Sequence, residues 1–203
     1  MPVTLTPETA SEYDFIIGLD ASGSMASLST RFSGKTRWQE GQELIIGMAG
    51  VLAGFDADGI DVITFGQKIE LFENTTADKV AQVLATVSPY GGTPTAEALA
   101  KIVAKQKTTG KNTVAVIFTD GEPNDRAAVE KVIVDATQGL EKDEALTFLF
   151  VQIGSDANAT AFLQHLDDDL QGRGAKFDIV DTLSAVDAEA MSPIDLINHA
   201  IND

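Results

Sequence analysis

Short oxygen-bearing side chains follow the first long apolar run of the chain, residues 13–19. Asp20, Ser22 and Ser24 occupy alternate positions there, and Gly23 lets the backbone curl between the two serines. A carboxylate and two hydroxyls are hard oxygen donors, the class of ligand that Mg²⁺ and Ca²⁺ prefer. This turn is therefore a candidate site for a divalent cation.

Two later segments carry the same kind of side chain. Thr93 lies in a Gly-Gly-Thr-Pro-Thr loop at 91–95, and Asp120 follows the strand-like run 114–119. Magnesium binds about six oxygens and keeps some of its waters, so hydroxyls can coordinate it directly while Asp20 and Asp120 act through water. The ion then stays electrophilic and keeps a position for an outside oxygen. Because Thr93 precedes a predicted helix start, where an anion is favoured, the pattern predicts capture of a carboxylate from a partner.

Each of these signals is weak when taken alone. Asp and Ser are common in turns, where their side chains bond the local backbone, and Asp120 precedes a glycine. A threonine before a proline, such as Thr93, is also typical of a helix N-cap. The metal interpretation therefore depends on the three segments meeting at one edge of a sheet.

Apolar runs that alternate with helical periodicity predict the elements that would position these segments. The predicted strands are residues 13–19, 60–65, 68–72, 113–119, 146–153 and 177–180. A turn is expected at 56–59. Helices are expected after the loop at 26–36, after Thr76, after Pro94, after a cap at Asn124 or Asp125, around 162–170, and from Ser192-Pro193.

This alternation predicts an α/β fold with a doubly wound, mainly parallel six-stranded sheet and helices on both faces. A hairpin at residues 66–67 would add one antiparallel edge strand. Open parallel sheets bind ligands beyond the carboxyl ends of their strands, near the point where strand order reverses. Asp20 and Asp120 both end predicted strands, and in the usual doubly wound arrangement those strands are neighbours across that point.

Composition limits the class of protein and of partner. The 203 residues are enough for one domain, 1–203, in which residues 1–11 read as a polar leader. A net charge of −17 excludes favourable contact with nucleic acid or an anionic membrane surface. Cysteine is absent, and no apolar run approaches the roughly 18 residues of a membrane span. Since residues 1–11 also lack the pattern of a signal peptide, we expect a cytoplasmic protein.

Taken together, the three segments resemble a von Willebrand factor type A (vWA) domain over nearly the whole chain. The resemblance is carried by Asp20-x-Ser22-x-Ser24, by Gly-Gly-Thr93-Pro, and by Asp120 in Thr-Asp-Gly-Glu-Pro-Asn-Asp. It implies a Rossmann-like fold with a metal-ion-dependent adhesion site. In that site the two serines and, in the ligand-competent state, Thr93 coordinate directly, while the two aspartates act mainly through water.

The residue sequences of these motifs are most similar to those of intracellular prokaryotic vWA domains. Such domains tend to act in assembly or regulation, some of them beside AAA+ ATPases. The lack of cysteines and a basic insertion at 31–37 distinguish the chain from the large adhesive forms. The resemblance implies Mg²⁺ as cofactor, with Mn²⁺ or Ca²⁺ as alternatives. It also implies a protein partner that supplies an Asp or Glu carboxylate.

Two enzymatic functions are alternatives to this non-enzymatic binding module. A strand-end aspartate beside a metal, such as Asp20, could be the nucleophile of a phosphatase or phosphotransferase. Lys35 and Thr36 end a stretch similar to a phosphate-binding loop, which would suit a nucleotide hydrolase. That stretch lacks its first glycine and begins nine residues past the strand end, and an Asp-rich turn at 56–61 has its glycine in the wrong place for an EF-hand. We therefore expect no catalysis.

Overall fold

Strands and helices alternate along the chain in this computed structural model, which describes residues 4–55 and 59–202. The strands are β1 (Tyr13–Ala21), β2 (Ile60–Gly66), β3 (Ile69–Thr75), β4 (Asn112–Thr119), β5 (Leu146–Gln152) and β6 (Val180–Ser184). The helices are α1 (Pro7–Ala10), α2 (Arg37–Leu52), α3 (Ala77–Ala85), α4 (Thr95–Thr109), α5 (Arg126–Gln138), α6 (Ala157–Asp168), α7 (Ala185–Ala190) and α8 (Pro193–Asn202). Short 3₁₀ turns occur at Gly23–Ala26, Asp143–Ala145 and Gln171–Arg173.

The strands form a sheet in the order β3-β2-β1-β4-β5-β6. All neighbours run parallel except β2 and β3, which form the predicted antiparallel edge. The chain winds outward from β1 to β3 and then returns to the centre at β4, so strand order reverses between β1 and β4. Their register pairs Ile17 with Val116 and Leu19 with Phe118, which brings the two carboxyl ends side by side. The predicted doubly wound α/β fold is confirmed.

The central strands are buried on both faces, as their nearly continuous apolar sequence predicts. On one face β1 presents Phe15, Ile17 and Leu19 to a core shared with α2, α3 and α8. On the other face Ile16 joins a core shared with α4, α5 and α6. The helices therefore cover both sides of the sheet and leave its carboxyl edge to the loops.

The last strand, the N-terminal leader and the turn at 56–59 do not simply match their predictions. The sequence predicts the last strand at 177–180, whereas the strand occupies Val180–Ser184, because the buried Asp181 and the polar residues after it interrupt the apolar signal. The predicted leader is part of the domain from residue 5 onward: Leu5 and Ala10 are buried, and the Leu5 amide donates to Asn198 Oδ1 at 2.7 Å. Residues 56–58 of the predicted turn lie outside the described residues.

Within residues 4–55 and 59–202, no helix combines the length and the apolar composition needed to cross a bilayer.

Candidate metal centre

Asp20 lies near the carboxyl end of β1 with its side chain fully buried. Two donors fix its carboxylate. The Ser22 amide donates to Oδ1 at 2.7 Å, and the Thr119 hydroxyl at the end of β4 donates to Oδ2 at 2.7 Å. The bond to Thr119 joins two strands that are distant in sequence, so the orientation of Asp20 depends on the pairing of β1 with β4.

The surroundings of Asp20 oppose its ionisation. Burial raises the pKa of this carboxyl from 3.8 to about 6, and the nearby charge of Asp120 acts in the same direction. The hydrogen bonds from Ser22 and Thr119 lower the pKa but do not cancel the effect of burial. A cation at this rim would favour the ionised form, since an opposite charge stabilises a carboxylate.

A chain of hydrogen bonds continues from the β1 turn to the end of β4. The hydroxyls of Ser22 and Ser24 lie 3.0 Å apart, and Ser24 Oγ donates to Asp120 Oδ1 at 2.7 Å. Ser24 is the second residue of the 3₁₀ turn Gly23–Ala26, while Asp120 directly follows β4. The structure therefore brings together four of the five predicted metal-site side chains: Asp20, Ser22, Ser24 and Asp120.

Thr93 belongs to a loop that docks on the same turn. The Gly23 amide donates to the Gly91 carbonyl at 3.0 Å, and Thr93 itself is buried. Thr93 and Asn124 form a reciprocal pair: the Thr93 amide donates to Asn124 Oδ1 at 2.8 Å, and the Asn124 amide donates to the Thr93 carbonyl at 2.9 Å. Asp125, rather than Asn124, caps α5 by accepting from the Ala128 amide.

The simpler interpretation of Thr93 as a helix cap does not fit the geometry. The cap position of α4 falls on Pro94, and no side chain caps this helix. The Thr93 carbonyl instead accepts from the Thr95 amide at 2.9 Å within the tight turn around Pro94. The Thr93 hydroxyl is therefore not used to begin the helix.

Sequence reasoning missed Arg37 as a member of this site. Arg37 is the first residue of α2, and its Nη1 donates to Asp120 Oδ2 at 2.6 Å. The sequence marks this region only as a basic insertion. No spacing rule connects Arg37 with a residue 83 positions later.

The oxygens of the site fit a hard divalent cation. Two carboxylates and several hydroxyls face one rim, and they are the donors that such an ion prefers. The described part of the chain contains no group of three or more His, Cys, Asp or Glu arranged to hold a metal. An ion at this rim would therefore depend on the serine and threonine hydroxyls as well as on the two aspartates.

Comparison with known families and folds agrees with this architecture. The family model for vWA-TerF-like domains, the vWA found in the TerF C terminus, matches residues 13–202. The chain belongs to this family. The resemblance predicted from the three motifs is thus confirmed for the vWA domain as a whole, whereas its five-residue metal site stays a prediction.

Solved structures show the same fold at low sequence identity. The vWA domain is similar to manganese-loaded Plasmodium vivax TRAP protein, with 19% identity and a TM-score of 0.63 over 95% of this chain and 74% of that one. It is also similar to the PilB minor pilin of Streptococcus sanguinis, with 15% identity and a TM-score of 0.63 over 93% of this chain and 61% of that one. A third similar structure is the vWF domain of the type V pili tip protein Mfa5 from Porphyromonas gingivalis. Its identity is 11% and its TM-score 0.52, over 94% of this chain and 95% of that one.

The chain thus spans less than two thirds of the length of the PilB structure. A comparison with curated protein sequences gives no match.

Proposed function

We propose that this vWA domain is a protein-binding module that depends on a divalent metal, with Mg²⁺ as the ion and Mn²⁺ or Ca²⁺ as alternatives. Ser22, Ser24 and Thr93 hold the ion directly, and Asp20 and Asp120 act mainly through water. The observation that carries the proposal is the chain of hydrogen bonds that links oxygens of β1 and β4 where strand order reverses. When bound, the ion supplies a positive charge and a coordination position for a partner's carboxylate.

The hydrogen bonds around the two aspartates support this division of roles. One oxygen of Asp20 accepts from the Ser22 amide and the other from the Thr119 hydroxyl. One oxygen of Asp120 accepts from the Ser24 hydroxyl and the other from the Arg37 guanidinium. Carboxylates fixed in this way orient the hydroxyls and waters around them. The loop of Thr93 is positioned by its paired contacts with Asn124, and the proposal takes the Thr93 hydroxyl as a further ligand.

The loops around the site favour a protein as the source of the carboxylate. Leu28 and Tyr90 are 70% and 64% exposed, and they lie on the two loops that flank the Ser22 turn. Exposed apolar side chains of this size suit a protein partner better than a free small acid. On the strength of the motif resemblance, we place the module in the cytoplasm, in assembly or regulation, with an AAA+ ATPase-associated system as one candidate setting.

Two features oppose the enzymatic alternatives. Asp20, the nucleophile of a phosphatase mechanism, is fully buried, and both of its oxygens are engaged. Lys35 binds both carboxylate oxygens of Glu43 at 2.7 Å, and Thr36 caps α2 through a capping box with Gln39. These contacts give Lys35 and Thr36 structural roles in place of phosphate binding.

Thermal unfolding with and without Mg²⁺ tests the proposal. At an ion concentration about a hundred times the dissociation constant, we expect the melting temperature to rise by roughly 5–10 °C. Ser22→Ala should abolish this rise together with chelator-sensitive capture of the partner from the native cell extract. Ser27→Ala, an exposed serine just after the same turn, is the matched control and should behave as wild type.

Two results would contradict the proposal. One is an equal Mg²⁺ response in wild type and Ser22→Ala. The other is Mg²⁺-dependent phosphate release from an aryl phosphate that disappears in Asp20→Asn, which would make the domain an enzyme.

A further inference from the structure

Arg37 places a permanent positive charge against one of the proposed metal ligands. Its Nη1 lies 2.6 Å from Asp120 Oδ2, and the Asp120 side chain is fully buried. Arg37 is itself only 22% exposed. A charge-assisted hydrogen bond in such a partly enclosed place is stronger than one at the open surface. The charge of Asp120 is therefore shared between Arg37 and whatever else binds at this rim.

Several contacts hold Arg37 in this position. It is the first residue of α2, directly after the capping box of Thr36 and Gln39, and its amide donates to the Ser27 carbonyl at 2.9 Å. Its guanidinium lies along Gly154, where an added Cβ would be 3.5 Å from Nε. The buried Nε has no hydrogen-bond partner, so packing and Asp120 hold the group.

The charge balance of the site changes because of this arginine. Ionised Asp20 and Asp120 together carry two negative charges, which would fully neutralise a divalent ion. Arg37 cancels one of them, so a loaded site keeps a net positive charge. Such a site holds its metal ion less tightly, because the Arg37 guanidinium repels the ion at short range. The same net positive charge attracts an incoming carboxylate more strongly.

We propose that Arg37 sets this balance: it lowers the affinity of the site for a divalent cation and raises the affinity of the loaded site for a carboxylate. The inference rests on the proposed function and assigns a residue outside the five predicted ligands to its specificity. An arginine that served only to stabilise the fold would have a different signature, because its loss would weaken both kinds of binding.

The test measures the two affinities separately in the intact chain. Free Mn²⁺ is followed by electron paramagnetic resonance, and carboxylate binding is followed through the relaxation that bound Mn²⁺ causes in ¹³C-acetate. Arg37→Gln should bind Mn²⁺ on the order of tenfold more tightly than wild type and show a weaker effect on acetate. Arg37→Lys keeps the charge and should stay close to wild type. Lys35→Gln removes a charge that pairs with Glu43 in the same region and is the matched control.

Opposite changes in the two affinities support the inference. Unchanged or weaker Mn²⁺ binding by an Arg37→Gln variant that still unfolds cooperatively would overturn it, and so would equal effects of Arg37→Gln and Lys35→Gln. If wild type itself binds no Mn²⁺, the proposed function fails and this inference fails with it. Mn²⁺ binding by wild type that is lost in Ser22→Ala, with no change in Arg37→Gln, would overturn only the role of Arg37.

Discussion

The buried carboxylate of Asp20 links acidity to stability. Its pKa in the folded protein is about 6 against an ordinary value of 3.8, so the folded state binds this proton more tightly than the unfolded chain does. The stability that Asp20 contributes is therefore full below pH 3.8 and is lost as the pH rises to about 6. The difference between the two values corresponds to about 3 kcal/mol.

This linkage predicts how Asp20→Asn differs from wild type in the presence of a chelator. Between pH 4 and pH 7 the free energy of unfolding of wild type should fall relative to that of the variant, by about 3 kcal/mol at most. Urea unfolding at several pH values measures it, and comparing the two proteins cancels the titration of other groups. Saturating Mg²⁺ should remove the fall in wild type, since a cation favours the ionised carboxylate. Parallel profiles in chelator would show that Asp20 ionises freely.

Residue type and position explain what the sequence could predict about this site. Asp20, Ser22, Ser24 and Asp120 fall at strand ends, where the rule for parallel sheets places ligands, and the structure brings them together. Arg37 and Asn124 could not be selected in the same way. Arg37 reaches the site from the start of a helix, and no sequence pattern shows that Asn124 accepts from the Thr93 amide while its neighbour Asp125 accepts from the Ala128 amide.

At the scale of elements, hydrogen bonds join the loop before α4 to the loop between β4 and α5. The reciprocal bonds of Thr93 and Asn124 join the start of α4 to the loop before α5. Gly92 allows this close approach, because an added Cβ there would lie 2.5 Å from Asn124 Oδ1. The position of Thr93 thus depends on an amide side chain that itself binds no metal in the proposal.

A pair of neighbouring substitutions tests this dependence. Asn124→Ala leaves the Thr93 amide without its acceptor and should cost about 1–2 kcal/mol of stability. Asp125→Ala removes the cap of α5 and should cost about 1 kcal/mol. Only Asn124→Ala should also weaken Mn²⁺ binding, because only that variant releases the Thr93 loop. Calorimetric titration with Mn²⁺, beside chemical unfolding, separates the effects; equal weakening in both variants would assign them to stability alone.

The same scale shows where sequence patterns fail. Strands β1, β2, β4 and β5 are predicted to within two residues at either end, because burial on both faces produces continuous apolar runs. Strand β6 is displaced from its predicted position, since the polar Asp181 lies within it. Helix α7 is not predicted at all, since residues 185–190 are too few to show helical periodicity. The fold places His199 Nε2 3.2 Å from Asp181 Oδ2, a tertiary contact that no sequence pattern predicts.

At the scale of the whole molecule, the dominant property is charge. Thirty-one acidic residues against fourteen basic ones leave the chain at −17, so the folded state repels itself at low ionic strength. Screening by a simple salt such as NaCl should therefore stabilise the protein, and Mg²⁺ should contribute to this screening in addition to any binding at the proposed site.

The two effects of Mg²⁺ can be separated by ionic strength. In Ser22→Ala, Mg²⁺ and NaCl at equal ionic strength should raise the melting temperature by similar, slowly growing amounts. Wild type should show an additional rise that saturates with Mg²⁺, because site binding is stoichiometric and screening is not. Thermal melts across both salt series measure this. A response to Mg²⁺ in wild type that follows ionic strength alone would leave no specific site to explain.

The pairing of β1 with β4 has a consequence for biosynthesis. Asp20 and Thr119, which bond to each other, are 99 positions apart, so the proposed metal pocket does not exist until that long loop has closed. A nascent polypeptide on the ribosome cannot assemble it before residue 120 has left the exit tunnel. In the proposed function, cation capture follows folding of the central strands, so we expect the ion to slow unfolding of the finished domain rather than to speed its folding.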